Sequence, residues 1–569
     1  MKHKIYIILG VIFLSACQDL DLNPLSEGSS ATWYADETQI NMSLNDLYRE
    51  VFWPMDEDPR FNDNPWTDDY IRRNFVSPII SATINGEWGV LRDLWANSYK
   101  AISRSNTILA NLERSSGTVP QATIDRFAAE ARFVRASQYA LLISHFGDVI
   151  YFTSELDLDE AFTMGRTDKE TVLQGIYDDY DFAALHLPEA YGSNELKRAT
   201  KGAALAMKAR IAIYNDDWAV ARDAAKACMD LNIYQLHAQY GALFLSSTKN
   251  SIETIFGIPR SVTLGSNVNT GWVRDITTRN AGGFSAKVPS WDLFCAYLCT
   301  DGLPIDESPS FNPREPFKNR DPRCAYTIVE FQTPHLGIMY QPHPDSLQVW
   351  NFNTGRYQTN NDTRSVAQFT SYNGLVLKKG VDTDWSNDNL TDPDKIIMRF
   401  ADVLLMFAEA SIELNQIDQP VLDAINTVRA RAYGVTADQV GSYPAITTTD
   451  QTELRKLVRT ERRMEFAMEG LRYMDLIRWR IAEKVLNRDI YGMLDVAELR
   501  QKIVNQGLWF FPRVPEIDED GNPDFTAMYN AGLIQLLAIR EFDESKQYLW
   551  PIPTSEILIN DNLKQNNGY

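Results

Sequence analysis

Apolar and polar positions repeat with a period near 3.6 in two separated stretches of the chain, and that period predicts helices. The first stretch runs from about residue 91 to residue 232. In "LRDLWANSYKAISRSNTILANL", Leu94, Trp95, Ser98, Ile102, Ser105 and Leu109 fall on one face at three- and four-residue spacing. "DRFAAEARFVRASQYALLISHFG" follows, with Gly147 placed to end that helix as a C-cap. The polar segment "RSSGTVPQAT" between them predicts an antiparallel helical hairpin. "DKETVLQGIYDDYDFAALHLP" and "KGAALAMKARIAIYNDDWAVARDAAKACMDL" add further helices, and their many alanines allow close crossings. The second stretch runs from about residue 398 to residue 485 and contains "RFADVLLMFAEASIEL", "VLDAINTVRARAY" and "TELRKLVRTERRMEFAMEGLRYMDLIRW".

Repeated helical pairs of this length resemble tetratricopeptide-type units. The fold class expected is therefore mainly α, a tetratricopeptide-like scaffold of helical pairs with a large irregular region. A first helix is predicted from about Thr38 to Val51. Between about 240 and 395 the helical period fades, while Gly, Pro, Asn, Thr and aromatic residues rise. Long loops with short strands are predicted there and at about 55–90. A connection this long without regular structure is more often functional than filler.

The start of the chain changes the picture. Lys2-His3-Lys4 precedes an apolar run from Ile5 to Leu14, and Ser15-Ala16-Cys17 follows. A short basic segment, about ten apolar residues and small residues before a cleavage point make a secretory signal. The run is too short to span a bilayer as a helix. A cysteine directly after the small residues fits a bacterial lipobox, in which Cys17 is lipidated and heads the mature chain. Several acyl chains on Cys17 would anchor it stably, where a single one would not. The expected organisation is a signal peptide over 1–16, a lipidated N-terminus and flexible tether over 17–31, and one domain over 32–569. Within that domain the scaffold covers about 90–235 and 396–569.

Charge and cysteine content narrow the function. The 569 residues carry a formal charge of −21, which disfavours nucleic acid and adhesion to anionic lipid. That charge suits neutral ligands such as glycans without requiring them. Beyond Cys17 only Cys228, Cys295, Cys299 and Cys324 remain, too few for a disulfide framework. Cys295 and Cys299 lack partners for a zinc site and read as buried free thiols. "DWSNDN" at 384–389 lacks the full spacing of a calcium loop. No cofactor or metal is expected.

"IMRFADVLLMFAEA", "INTVRARA", "RTERRMEFAMEGLRYMDLIRW", "NRDPR" at 319–323, "YLCTDGLPI" at 297–305, "LWANSYKAISRSNTIL" and the closing "YLWPIPTSEILINDNLKQNNGY" resemble the SusD/RagB family, from the lipobox to the last residue. The resemblance implies a surface-exposed lipoprotein anchored to the outer membrane by acyl chains on Cys17. It implies capture of oligo- or polysaccharide and delivery to a SusC-type TonB-dependent barrel, on which the protein sits as a lid. A minority of such proteins handle peptides. The motifs themselves are framework: Glu461, Glu465 and Glu469 share a helix face among Arg399, Arg429, Arg431, Arg462 and Arg463. Such spacing predicts ion pairs rather than a catalytic carboxylate pair.

A sugar site needs flat aromatic faces with polar groups at the rim. Aromatic residues in loops are the candidates. Trp66, Asp68, Tyr70, Arg73 and Trp88 form one group, and the resemblance places Trp88 in a loop that contributes ligand contacts. Trp272 and Arg274 form a second group. Trp350 belongs to a third, in "DSLQVWNFNTGRYQTNND", where a plain β-hairpin turning at "NTG" is the competing reading. Trp291 reads as core. A surface glycoside hydrolase or a peptide binder are the alternatives. Hydrolysis would need two carboxylates about a sugar cleft, and no nucleophile elbow, metal motif or phosphate loop occurs.

Overall fold

The computed structural model describes residues 33–192 and 197–569. Cys17, the leader and the tether lie outside the described residues. The long helices are α1 (Glu37–Leu47), α2 (Gly89–Asn111), α3 (Gln121–Phe146), α4 (Lys169–His186), α5 (Lys201–Tyr214), α6 (Trp218–Met229), α7 (Phe400–Glu413), α8 (Gln419–Ala432) and α9 (Gln451–Glu465), with the shorter α10 at Arg472–Arg478. The protein is mainly α-helical, as the periodicity predicts.

Capping residues set the helix starts. Asp36, Asp168, Thr200, Asp217, Asp418 and Asp450 each accept the backbone N–H three residues on, which satisfies a donor the helix itself cannot pair. Gly147 ends α3 at φ 73°, a backbone region that suits glycine. Helix α1 stops at Leu47, short of the predicted Val51, and a 3-10 turn at Glu50–Phe52 follows. On α2 the expected Trp95, Ser98, Ile102 and Ser105 are buried, with Leu91, Ala101 and Ile108 beside them, while Leu94 and Leu109 are only partly buried. The buried face is broader than the predicted stripe, and both α1 and α3 pack on α2.

Successive helices pack as neighbours: α2 on α3, α3 on α4, α4 on α5, and α5 on α6. Buried Ala203, Ala204, Ala206, Ala209 and Ala212 of α5, with Ala221 and Ala225 of α6, keep the close faces small. Helix α7 then packs on α6 across the long intervening segment, and α8 and α9 pack on α7. Arg210 of α5 ties the two halves by donating to Asp402 at 2.6 Å and to the Ile397 carbonyl at 2.8 Å.

The irregular segments before α2, between α6 and α7, and after α10 build short strands rather than one sheet. They are β1 (Tyr70–Arg72), β2 (Thr254–Ile258), β3 (Lys287–Pro289), β4 (Thr333–His335), β5 (Ile338–Tyr340), β6 (Gln348–Asn351), β7 (Arg356–Thr359), β8 (Lys395–Arg399), β9 (Ile490–Gly492) and β10 (Gln535–Ala538). Strands β4 to β7 form an antiparallel meander; β1 pairs with β3, β2 with β8, and β9 with β10. Residues of "NTG" turn the β6–β7 hairpin, with Gly355 at φ 65°.

Between the helical core and a second apolar core around Trp291, Phe294 and Phe511 lies a buried ionic network. Glu465 accepts from Arg399 at 2.6 Å, from Arg323 at 3.1 Å and from Arg431. Glu461 accepts from Arg323 at 2.6 Å and Arg429 at 2.8 Å. Glu469 accepts from Arg399 at 2.7 Å and Lys379 at 2.6 Å. The three glutamates are thus fully engaged as framework. Cys228, Cys295, Cys299 and Cys324 are buried free thiols, and burial pushes Cys228 and Cys324 up to about 12, so none is a reactive thiolate. Among the described residues no group of three or more His, Cys, Asp or Glu is placed to hold a metal ion.

Candidate functional site

The loop after β1 starts the site. Tyr70, Ile71 and Arg72 pair with Pro289, Val288 and Lys287 across β1 and β3. Asn74 then adopts φ 57°, a left-handed position that asparagine tolerates. The Phe75 N–H closes the turn on the Arg72 carbonyl at 3.1 Å. The turn presents Arg73 and Phe75 to a cleft of about 400 Å³. Opposite stand Arg364 and Tyr372, and the ends of β9 and β10 complete the wall. The Arg364 guanidinium lies 4.8 Å from the centre of the Tyr372 ring, and that of Arg73 lies 6.0 Å from it. Asp495 is held by Arg364 at 2.7 Å.

Two phenylalanines flank this cleft. Phe284 is 42% exposed and Phe369 50% exposed, both large for apolar side chains. Arg73 Nη1 donates to both their carbonyls, at 2.9 Å and 2.7 Å, and so joins two loops distant in sequence. Gly283 is required beneath Phe284, because a Cβ there would overlap the Thr277 carbonyl. Arg279 Nη1 donates to the same Phe369 carbonyl at 2.8 Å. The Arg279 and Asn280 N–H groups hold Asp362, whose carboxyl burial nevertheless lifts to about 6.

Several predicted residues are placed elsewhere. Trp66 is 3% exposed, and its ring lies 5.2 Å from Trp550 and 5.5 Å from Tyr473. Asp68 is 1% exposed and accepts from Arg463 at 2.5 Å and Arg472 at 3.0 Å. Burial alone would raise its carboxyl, but the two arginines outweigh it and hold the group well below the usual range. Tyr70 is also buried, in the second apolar core. These three are corrections to the loop-aromatic reading, since residues 66–70 run beneath α10 and the C-terminal tail rather than over the surface. Trp88 is half-buried at the start of α2, 5.4 Å from Trp550.

Arg73 lines the cleft. Trp272 and Arg274 sit on the short helix Thr270–Ile276 beside it. The Phe284 N–H bonds the Arg274 carbonyl at 2.7 Å, and the Lys287 ammonium lies 5.1 Å from the Trp272 ring. Trp350 is on β6, edge-on to Tyr357 of β7 at 5.2 Å. Its ring partner belongs to the hairpin, not to the cleft. Sequence reasoning missed Arg279, Phe284, Arg364, Phe369 and Tyr372. A lone phenylalanine after Gly282-Gly283 was the one available signal. A second cleft of about 460 Å³, between α2 and the helix Thr554–Ile559, includes none of the predicted site residues and no Arg, Lys or His.

A frame of paired helices carrying a loop-built cleft of aromatic and guanidinium groups defines a helical-repeat scaffold with a surface cleft. Comparison with known proteins then assigns it. A profile described as the SusD family matches residues 244–569, and one described as starch-binding associating with outer membrane matches residues 31–213. The chain belongs to the SusD family. A SusD-like protein of Formosa agariphila is 25% identical over 507 residues, covering 84% of this chain and 89% of that protein. A SusD-like protein of Bacteroides ovatus is 24% identical over 535 residues, 86% of this chain and 84% of its own length. The crystal structure of a SusD-like carbohydrate-binding protein from Bacteroides fragilis superimposes with a TM-score of 0.76 at 29% identity, covering 93% of this chain and 99% of that one.

Proposed function

We propose that this protein captures oligo- or polysaccharide at the outer membrane, held there through Cys17, and delivers it as the lid of a SusC-type TonB-dependent barrel. Residues 32–569 act as a single unit in this reading. Family membership supports it, as does the similarity to a carbohydrate-binding protein of known structure. The observation that carries it is the pair of exposed phenylalanines tied by Arg73 at the flank of the cleft. Flat apolar faces beside fixed N–H donors suit a ring studded with hydroxyls. Binding without turnover fits the cleft better than hydrolysis. Asp495 is the one carboxylate among its lining residues, and Arg364 occupies it, whereas glycoside hydrolysis uses two.

Two tests follow. Phe284→Ala with Phe369→Ala is expected to weaken oligosaccharide binding by roughly 5- to 140-fold, taking about 0.5–1.5 kcal/mol per ring, with the unfolding midpoint unchanged. Titration calorimetry against an oligosaccharide panel measures it; unaltered affinity, or cleaved products in the cell, would remove the cleft from the account. Cys17→Ala is expected to move the protein from the membrane fraction to the soluble fraction of fractionated cells. A variant that stays with the membrane would refute the acyl anchor.

A further inference from the structure

The cations lining the cleft and the neighbouring Arg279 are not all matched by carboxylates. Arg72 pairs with Asp63, and Arg364 pairs with Asp495. Arg73 and Arg279 form no ion pair with any described residue, although their heads stand side by side on the Phe369 carbonyl. The nearby acids are otherwise engaged. Asp275 lies 3.8 Å from Arg72, and Asp362 is held by backbone N–H groups rather than by the Arg279 side chain. Two like charges placed this close repel, and the side-chain hydrogen bonds of each go only to neutral carbonyls, with Asp275 and Asp362 acting on them without an ion-pair contact. In both arginines the side-chain bonds use Nη1 alone. Nε and Nη2 keep their donors for a ligand, in the planar fork that matches an oxyanion.

We infer that the glycan taken by this cleft carries an anionic group, a uronate carboxylate or a sulfate ester, seated between Arg73 and Arg279. The inference rests on the reading of the cleft as the glycan site and names the ligand's chemistry within it. A bridging oxyanion would accept from both forks and relieve their repulsion. Burial lowers the Arg73 pKa, and the neighbouring Arg279 charge acts in the same direction, against the opposing effects of Tyr372 and Asp275. The formal charge of −21 does not oppose this. Charges beyond about 8–10 Å are screened at physiological salt, so the local pair outweighs the distant acids. The whole-chain charge, which by itself suits neutral sugars, is the wrong scale on which to read the site.

The test is titration calorimetry on the full chain with matched probes. Oligogalacturonate is compared with its carboxyl-reduced form, and a sulfated galactan oligosaccharide with its desulfated form. One anionic probe is expected to bind about 10-fold or more tighter than its neutral match, the scale of one charge-assisted hydrogen bond, and the gap should shrink as salt is raised. Which probe it is distinguishes carboxylate from sulfate. Arg279→Gln, which retains a donor toward the Phe369 carbonyl, is expected to close most of that gap, and Arg279→Lys to close less of it. Equal affinity for charged and neutral probes, or an unmoved gap in Arg279→Gln, overturns the anion site and leaves glycan capture standing. Failure of every probe, neutral and charged, overturns the glycan reading itself. Arg279-dependent binding of an acidic peptide in their place would assign the cleft to peptides.

Discussion

Replacing Glu465 with alanine is expected to cost about 3–5 kcal/mol of folding stability, the range for removing one partner of a buried ion pair. Glu465 accepts from Arg399, Arg323 and Arg431. Its loss would leave three guanidiniums to share Glu253, Glu461, Glu469 and Asp321 inside the protein. The same residue sets a pH dependence. Burial would raise its carboxyl, but Arg431, Arg399 and Arg323 bring it down to about 2, against about 4.3 in an unfolded chain. A depressed carboxylate contributes stability that is complete above its unfolded value and lost as pH falls through the folded one. Asp402, held by Arg210 and Arg462 at about 2, acts in the same sense. Asp69 and Asp362, which burial lifts to about 6, act in the opposite sense and reduce stability as pH rises from about 4 to 6. Urea unfolding at pH 2.5, 5 and 7.5 should show the steepest loss between pH 5 and 2.5. A flat profile across that interval, or a Glu465→Ala midpoint equal to that of the parent, would show that the network is not stabilising.

Trp66→Ala is expected to cost a further large amount, about 3–5 kcal/mol for a buried aromatic truncated to alanine, and to leave glycan affinity of the folded fraction unchanged. The indole lies among Trp88, Tyr473 and Trp550 at 6.2, 5.5 and 5.2 Å. Residue 66 also carries a backbone N–H bonded to Glu57 at 2.9 Å. The cluster joins the loop before α2 to the tail through the Trp66–Trp550 contact, and the tail to α3 and α10, since the Trp550 N–H bonds the His145 carbonyl and Trp550 Nε1 bonds the Tyr473 hydroxyl at 2.8 Å. This variant forms a pair with Phe284→Ala. One should move the unfolding midpoint and not the affinity, the other the affinity and not the midpoint. A weaker ligand affinity for Trp66→Ala at an unchanged midpoint would restore Trp66 to the binding face.

Particular residues show why one part of the protein was legible and another was not. Gly147, the polar hairpin between α2 and α3, and the shared face of Glu461 and Glu465 all express local rules: a cap, a turn, a helix face; Glu469 lies beyond the end of α9, and the ion-pair partners of all three are distant in sequence. Those rules act over a few residues, so the linear chain contains them in full. The loop aromatics do not follow such a rule. Trp66 lies in an irregular, asparagine-rich stretch and reads as exposed, yet α10 and the tail around Trp550 close over it. Phe284 lies in a similar loop and stays open, 42% exposed.

The sequence by itself determined the helical frame, its caps and the family resemblance, because these depend on spacing within a single segment, whereas the partners of Glu461 and Glu465 on α9 come from distant segments. Only the tertiary structure decided which aromatic rings reach solvent and which arginines lack a carboxylate. Burial and charge compensation are set by neighbours hundreds of residues away, as when Arg73 and Arg279 meet at the carbonyl of Phe369.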